Sequence, residues 1–221
     1  MMEELKGGLV VSCQALEHEP LHGNGHMAAM ALAVKQGGAV GIRANGPTDI
    51  RQIKEKVDLP IIGIWKKDYE GFDAFITPMT EDAKSVAEAG ADIIAVDATE
   101  QTRPQKLEEL VDYIQQVLGK KVMADISTLS EGKDAHELGC DYIGTTLSGY
   151  TSYTKDRAQP DFSLLEELIK EVSTPVVAEG NFGSPEQAKK ALEIGANFVV
   201  VGGAITRPQL ITKSFVDGMK S

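Results

Sequence analysis

Cysteine is nearly absent from the chain, which has only Cys13 and Cys140. Both lie in apolar, strand-like runs where a free thiol behaves as a small core residue, so a disulfide framework is not expected to hold the fold. Long apolar runs are missing too. The stretch Met1 to Gly8 carries Glu3, Glu4 and Lys6, so it reads as neither a secretory signal nor a membrane span, and the expected location is the cytoplasm. Positive charge is in short supply: 22 Lys and Arg stand against 33 Asp and Glu, a net charge of -11. That balance argues against nucleic acid or an anionic membrane as partner. An anionic small molecule would have to be met by a local cluster of cations.

What is present suits one soluble domain spanning residues 1–221, with 42% hydrophobic and 25% charged residues, because single α/β barrels run from about 200 residues upward. Short apolar runs alternate with longer segments of helical period, the pattern of a parallel sheet covered by helices. Eight strands are expected: Gly8 to Gln14, Ala39 to Arg43, Pro60 to Lys66, Asp92 to Asp97, Lys121 to Asp125, Asp141 to Thr146, Pro175 to Glu179 and Asn197 to Gly202. Leu107, Leu110, Val111, Ile114, Val117 and Leu118 place an apolar stripe on the fourth helix. Ser184, Pro185 and Gln187 read as a capping box with proline at the first position of the seventh.

A weak repeat of helix, glycine, small residue and strand recurs at Gly38-Ala39, Gly90-Ala91, Gly139-Cys140 and Gly195-Ala196, each glycine a natural helix terminator. The expected fold is a (β/α)8 TIM barrel of the phosphate-binding type; an open doubly wound sheet of eight strands is the alternative, since periodicity does not reveal closure. Ala74 to Pro78 looks strand-like but falls between the third strand and the third helix, so it is expected to be a loop excursion near the site.

Active sites of parallel barrels form at the carboxyl ends of the strands. Here the strands end on Gln14, Arg43, Lys66, Asp97, Asp125, Thr145 with Thr146, Glu179, and Gly202 with Gly203. Residues two apart share a side of a strand, so Ile62, Ile64 and Lys66 are expected to face the barrel axis, as are Gly41 with Arg43, Met123 with Asp125, and Val177 with Glu179. A plainer reading makes these residues a structural ion-pair network at the rim. Asp97 could equally anchor the loop through Ala98, Thr99 and Arg103. The glycine-bearing loops Gly180 to Ser184 and Gly202 to Arg207 lead to helix N-termini, whose free N–H groups suit a phosphate. His18, His22 and His26 have metal-like spacing, but Pro20, Gly23 and Gly25 oppose a helix there, so neither a metal nor a cofactor is expected.

Taken together, Ser12-Cys13-Gln14-Ala15, Gly41-Ile42-Arg43-Ala44, Ala124-Asp125-Ile126-Ser127-Thr128, Thr145-Thr146-Leu147-Ser148-Gly149-Tyr150, Ala178-Glu179-Gly180 and Val201-Gly202-Gly203-Ala204-Ile205-Thr206-Arg207-Pro208 resemble the N-acetylmannosamine-6-phosphate 2-epimerase family from about Gly8 to Val216. The resemblance implies an isomerase of bacterial sialic acid catabolism that interconverts N-acetylmannosamine 6-phosphate and N-acetylglucosamine 6-phosphate. It also implies that Lys66 and Glu179 are the catalytic pair, that Gln14, Arg43 and Asp125 contact substrate, and that Gly180, Asn181, Gly202, Gly203 and Arg207 bind phosphate. Asn181 stands where some relatives carry a basic residue, which leaves backbone N–H contacts as that loop's expected contribution.

Epimerisation at C2 next to an open-chain aldehyde passes through a planar enolate, and reprotonation on the opposite face gives the other epimer. Residues on strands three and seven face one another across a ring of eight, which suits Lys66 and Glu179 to that task. Asp125 is expected to orient Lys66 or a sugar hydroxyl. Two rivals stay open: a lyase or aldolase using Lys66 as a Schiff-base nucleophile, and a sugar-phosphate sensor with no chemistry. The oligomeric state is open as well, a homodimer among the options.

Overall fold

The computed structural model describes residues 2–220. Eight parallel strands close into a barrel in sequence order: β1 (Leu9–Cys13), β2 (Gly41–Asn45), β3 (Ile61–Ile64), β4 (Ile93–Asp97), β5 (Lys121–Asp125), β6 (Tyr142–Gly144), β7 (Val176–Glu179) and β8 (Phe198–Val201). Closure is made by β1 against β8, with Leu9, Val10 and Val11 opposite Val199, Val200 and Val201. The open-sheet alternative is thereby removed.

The helices are α1 (Met2–Leu5), α2 (His26–Gln36), α3 (Pro47–Lys54), α4 (Thr80–Glu88), α5 (Leu107–Asp112), α6 (Leu129–Glu137), α7 (Phe162–Glu171), α8 (Pro185–Ile194), α9 (Gly203–Thr206) and α10 (Pro208–Gly218). The fourth expected helix is α5 continued by a π turn over Tyr113–Val117. Gly38, Gly90, Gly139 and Gly195 all have positive φ, from 77° to 119°, the left-handed conformation that lets a helix stop and the chain turn into the next strand. At α8, the Ser184 side chain accepts from Gln187 N. Gln187 does not complete the expected box, because its side-chain oxygen reaches back to the N–H of Gly183 at 2.7 Å. The reciprocal box occurs on α6, between Thr128 and Glu131.

Two apolar layers result. Leu5, Val10, Ile62, Ile64, Ile93, Met123, Tyr142 and Phe198 fill the barrel, as the two-residue period requires, and Leu5 of α1 closes its lower end against Gly41. Alternate residues face the helices. Among them Gly63 allows close contact, since a Cβ there would fall 2.5 Å from Val86 and 2.6 Å from Ala91.

The strand ends are shorter than the apolar runs suggest, and the difference is greatest at β3. Its ladder with β4 holds two pairs, Ile62 with Ile93 and Gly63 with Ile94. Above them the excursion 74–78 enters between the two strands. Lys67 N donates to Phe75 O at 2.9 Å, Thr77 N to Trp65 O at 2.9 Å, and Asp97 N to Ile76 O at 2.8 Å. The excursion is therefore part of the barrel wall, and Lys66 lies beyond the end of β3, bridged to Ile76.

Candidate active site

A cavity of about 800 Å³ opens at the carboxyl ends of the strands. Gln14, Arg43, Lys66, Glu179, Gly180, Asn181, Gly202, Gly203 and Arg207 all line it. Nine of the ten residues expected at the site thus meet in one place. Asp125 is the exception, being fully buried and absent from the lining.

The floor is a buried charge cluster. Arg43 extends from β2 across the barrel, its Nη1 and Nη2 donating to the two oxygens of Asp125 at 3.1 and 2.5 Å. Nη1 also donates to Glu179 Oε2 at 2.9 Å. Thr146 Oγ1 lies 2.6 Å from Asp125 Oδ1 and 3.2 Å from Glu179 Oε2. Asp125 is consequently taken up by Arg43 and Thr146. It forms no ion pair with Lys66, which corrects the expectation that it orients the lysine; its position makes it the holder of Arg43.

Charges so arranged move the two groups that face the cavity. Burial, reinforced by the Arg43 charge, lowers the Lys66 ammonium from 10.5 to about 8. Burial raises the Glu179 carboxyl from 4.5 to about 7, against the pull of Arg43 and with the push of Asp125. Desolvation disfavours the charged form of each, so an acid and a base are drawn together near neutrality. Arg43 stays charged, because Asp125 and Glu179 outweigh its own burial.

Around this floor, Gln14 Nε2 donates to Ser12 Oγ at 2.8 Å. Asn181 has φ 53° and accepts from the Tyr150 hydroxyl at 3.0 Å, tying the loop after β7 to the loop after β6. Arg207 Nε and Nη2 donate to Glu19 at 2.6 and 3.1 Å, and the arginine holds the Glu19 carboxyl below the usual carboxylate range. Gly203 and Ala204 open α9, so their N–H groups have no acceptor within the helix. Arg43, Lys66 and Arg207 supply the local cations that a chain of net charge -11 needs to receive an anion.

The plainer ion-pair reading applies to Asp125, which holds Arg43, while Asp97 serves its own loop. Its carboxylate accepts from Thr99 N and Oγ1 at 3.1 and 2.6 Å, while Arg103 donates to Asp97 O and Thr99 O at 3.0 and 2.8 Å. It anchors its loop. Among the described residues no three His, Cys, Asp or Glu side chains group as metal ligands would. His22 instead bonds Ala15 O at 3.1 Å, and His26 opens α2.

Reasoning from strand ends missed Glu19, Asn45, Thr77 and Tyr150, which act from loops or through the backbone. Thr146 was already among the strand-end residues, and it continues the inward parity of Tyr142 and Gly144.

A family model described as "Putative N-acetylmannosamine-6-phosphate epimerase" matches residues 27–221. The chain belongs to this epimerase family. A Clostridium perfringens relative named "Putative N-acetylmannosamine-6-phosphate 2-epimerase" is 51% identical over 222 residues, covering 100% of both chains. A Staphylococcus haemolyticus protein of the same name is 52% identical over 98% of this chain and 99% of its own. The solved structure of the N-acetylmannosamine-6-phosphate 2-epimerase from Clostridium perfringens superposes with a TM-score of 0.95 at 51% identity, over 98% of this chain and 95% of that one. A thiamine phosphate pyrophosphorylase from Pyrococcus furiosus, at 19% identity and TM-score 0.62 over 93% and 89% of the two chains, shares the barrel fold alone. Arg43, Lys66, Asp125, Glu179 and Arg207 all fall within the segment matched by the epimerase family model.

Proposed function

We propose that this member of the epimerase family interconverts N-acetylmannosamine 6-phosphate and N-acetylglucosamine 6-phosphate by moving a proton at C2, in the cytoplasmic catabolism of sialic acid-derived amino sugars. The observation that carries the reading is the pairing of Lys66 and Glu179, which line one cavity from opposite sides of the barrel with proton affinities drawn toward each other. One group takes the C2 proton of the open-chain sugar, the C–H electron pair becomes the C1–C2 double bond, and O1 takes the negative charge. Arg43, held by Asp125, and Gln14 stabilise that oxygen. The other group then delivers a proton to the opposite face. Thr146 touches both carboxylates and steadies Glu179. Both proton-transfer groups are side chains, so the chemistry requires neither metal nor cofactor.

The phosphate sits against the backbone of Gly180, Asn181, Gly202 and Gly203, with Arg207 supplying charge. The Gly183 N–H, already committed to Gln187, takes no part. The assembly is a homodimer, a reading supported by α10, which buries none of its side chains.

Proton NMR of N-acetylmannosamine 6-phosphate in deuterated water tests the chemistry. Lys66→Ala and Glu179→Ala are each expected to slow epimerisation by at least about 100-fold, within the range of positioned proton transfer. Each variant keeps one base, so Lys66→Ala exchanges the C2 hydrogen of one epimer and Glu179→Ala that of the other. A folded variant that epimerises near the parent rate removes its residue from the mechanism.

A further inference from the structure

We propose that Thr77 and Asn45 position Lys66, by holding its backbone from both sides where the sheet no longer does. The inference rests on the role given to Lys66 above. A lysine side chain has four rotatable bonds, so the location of its amine depends first on how firmly its own Cα is fixed. The strand ladders do not reach it: the pairing of β3 ends at Ile64 toward β2 and at Gly63 toward β4, and the bridge from Lys66 to Ile76 uses Trp65 O and Lys67 N but neither the Trp65 nor the Lys66 N–H. Trp65 and Lys66 therefore extend past the sheet with N–H groups that need other acceptors.

Two side chains supply them. From the β2 side, Asn45 Oδ1 accepts from Lys66 N at 2.9 Å. From the β4 side, Thr77 Oγ1 accepts from Trp65 N at 3.1 Å, while Thr77 N donates to Trp65 O at 2.9 Å. Thr77 thus closes a ring of two hydrogen bonds on the residue before the lysine.

The backbone of Thr77 shows why this matters. Its φ is 46° and it is fully buried. A β-branched residue is a genuine outlier in the left-handed region, and such strain persists only where the surroundings impose it. Glycine would adopt that turn freely but could not accept the Trp65 N–H. The hydroxyl is what a threonine or serine adds at this position, and its partner is the backbone next to Lys66. Neither Asn45 nor Thr77 lines the cavity, so both act through Lys66 and not on substrate.

Thr77→Gly, Thr77→Ser, Asn45→Ala and Lys66→Ala are compared with the parent in steady-state kinetics. Lys66 is titrated independently of turnover by competitive acetylation, read peptide by peptide in a mass spectrometer. Thr77→Gly relieves the turn and removes the hydroxyl, so it is expected to melt no lower than the parent. Its kcat should fall about 10- to 100-fold, as small misplacements of reacting groups do, with KM within about threefold. The Lys66 midpoint should move upward as the amine gains solvent. Thr77→Ser should restore both, and Asn45→Ala should repeat the loss. Unchanged kcat and Lys66 titration in folded Thr77→Gly, or a loss that serine does not rescue, overturns the proposal. Should Thr77→Gly fail to fold by circular dichroism, Asn45→Ala decides in the same way. A parent-like rate in Lys66→Ala would instead sink the role of Lys66 itself, and the acetylation titration would still decide whether Thr77 and Asn45 hold that side chain in place.

Discussion

Lys66 and Glu179 keep the usual order of their proton affinities but close most of the gap: the lysine falls to about 8 and the glutamate rises to about 7. Between those values Glu179 is mostly ionised and Lys66 mostly protonated. Below them Glu179 takes up a proton; above them Lys66 loses one. Forward and reverse reactions need one proton shared between the two groups, so kcat/KM is expected to be bell-shaped in pH, with its maximum between about 7 and 8 and midpoints that belong to the coupled pair. In Glu179→Gln the remaining base is Lys66, so the residual C2 hydrogen exchange should rise with pH through the lysine's midpoint and show no alkaline limb. A rate that is flat from acid to alkaline pH would contradict the assignment. Arg43, Lys66 and Glu179 were legible from sequence because each is a polar residue ending an apolar strand with inward parity. Asn45 and Thr77 were not, because their contribution depends on which backbone N–H groups the ladder leaves unpaired. Asp125 has the same parity as Glu179, but the depth at which Arg43 crosses the barrel decides that it is covered.

Elements were legible where periodicity and turn chemistry agree, as at the four glycine-terminated helices and at the Ser184 start of α8. They were less so where tertiary contacts set the boundary. The run Pro60 to Lys66 is apolar to its end, yet β3 stops at Ile64, because the excursion 74–78 takes the hydrogen bonds that β4 would otherwise offer. Gly63 belongs to this scale, since its missing side chain lets α4 and the Gly90-Ala91 turn lie against β3. Gly63→Ala would drive a methyl to 2.5 Å from Val86 and 2.6 Å from Ala91, and overpacking of this kind costs roughly 1–3 kcal/mol. The expected outcome is a lower urea midpoint at unchanged slope. An unaltered midpoint would mean that α4 can move outward freely.

At the scale of the molecule, the barrel follows from the count and alternation of the strands, while the proposed dimer rests on α10, which packs on α9 but has no fully buried side chain. Ile211 and Phe215 are four residues apart and so share one face of α10, and Met219 follows at its C-cap. Phe215 is 70% exposed and Met219 85%. No side chain of this helix is buried, and among the described residues no helix is long and apolar enough to cross a membrane. Ile211 and Phe215 also border the cavity, so this apolar surface runs outward from its rim; exposed apolar surface supports the proposed association, and the commonest closed assembly is a two-fold dimer using one patch twice. Sedimentation equilibrium is expected to give twice the mass of the chain, and Phe215→Asp combined with Met219→Asp should give the single mass. Charge adds a second, independent sign. Each copy carries a net charge of -11, so association works against repulsion that salt screens. Raising the ionic strength from about 0.01 M to 0.15 M shortens the screening length from about 30 Å to 8 Å and should tighten the dimer. An assembly joined mainly by ion pairs would loosen under the same change, and a parent chain that sediments as a monomer at every salt concentration would show that the face of α10 stays bare in solution.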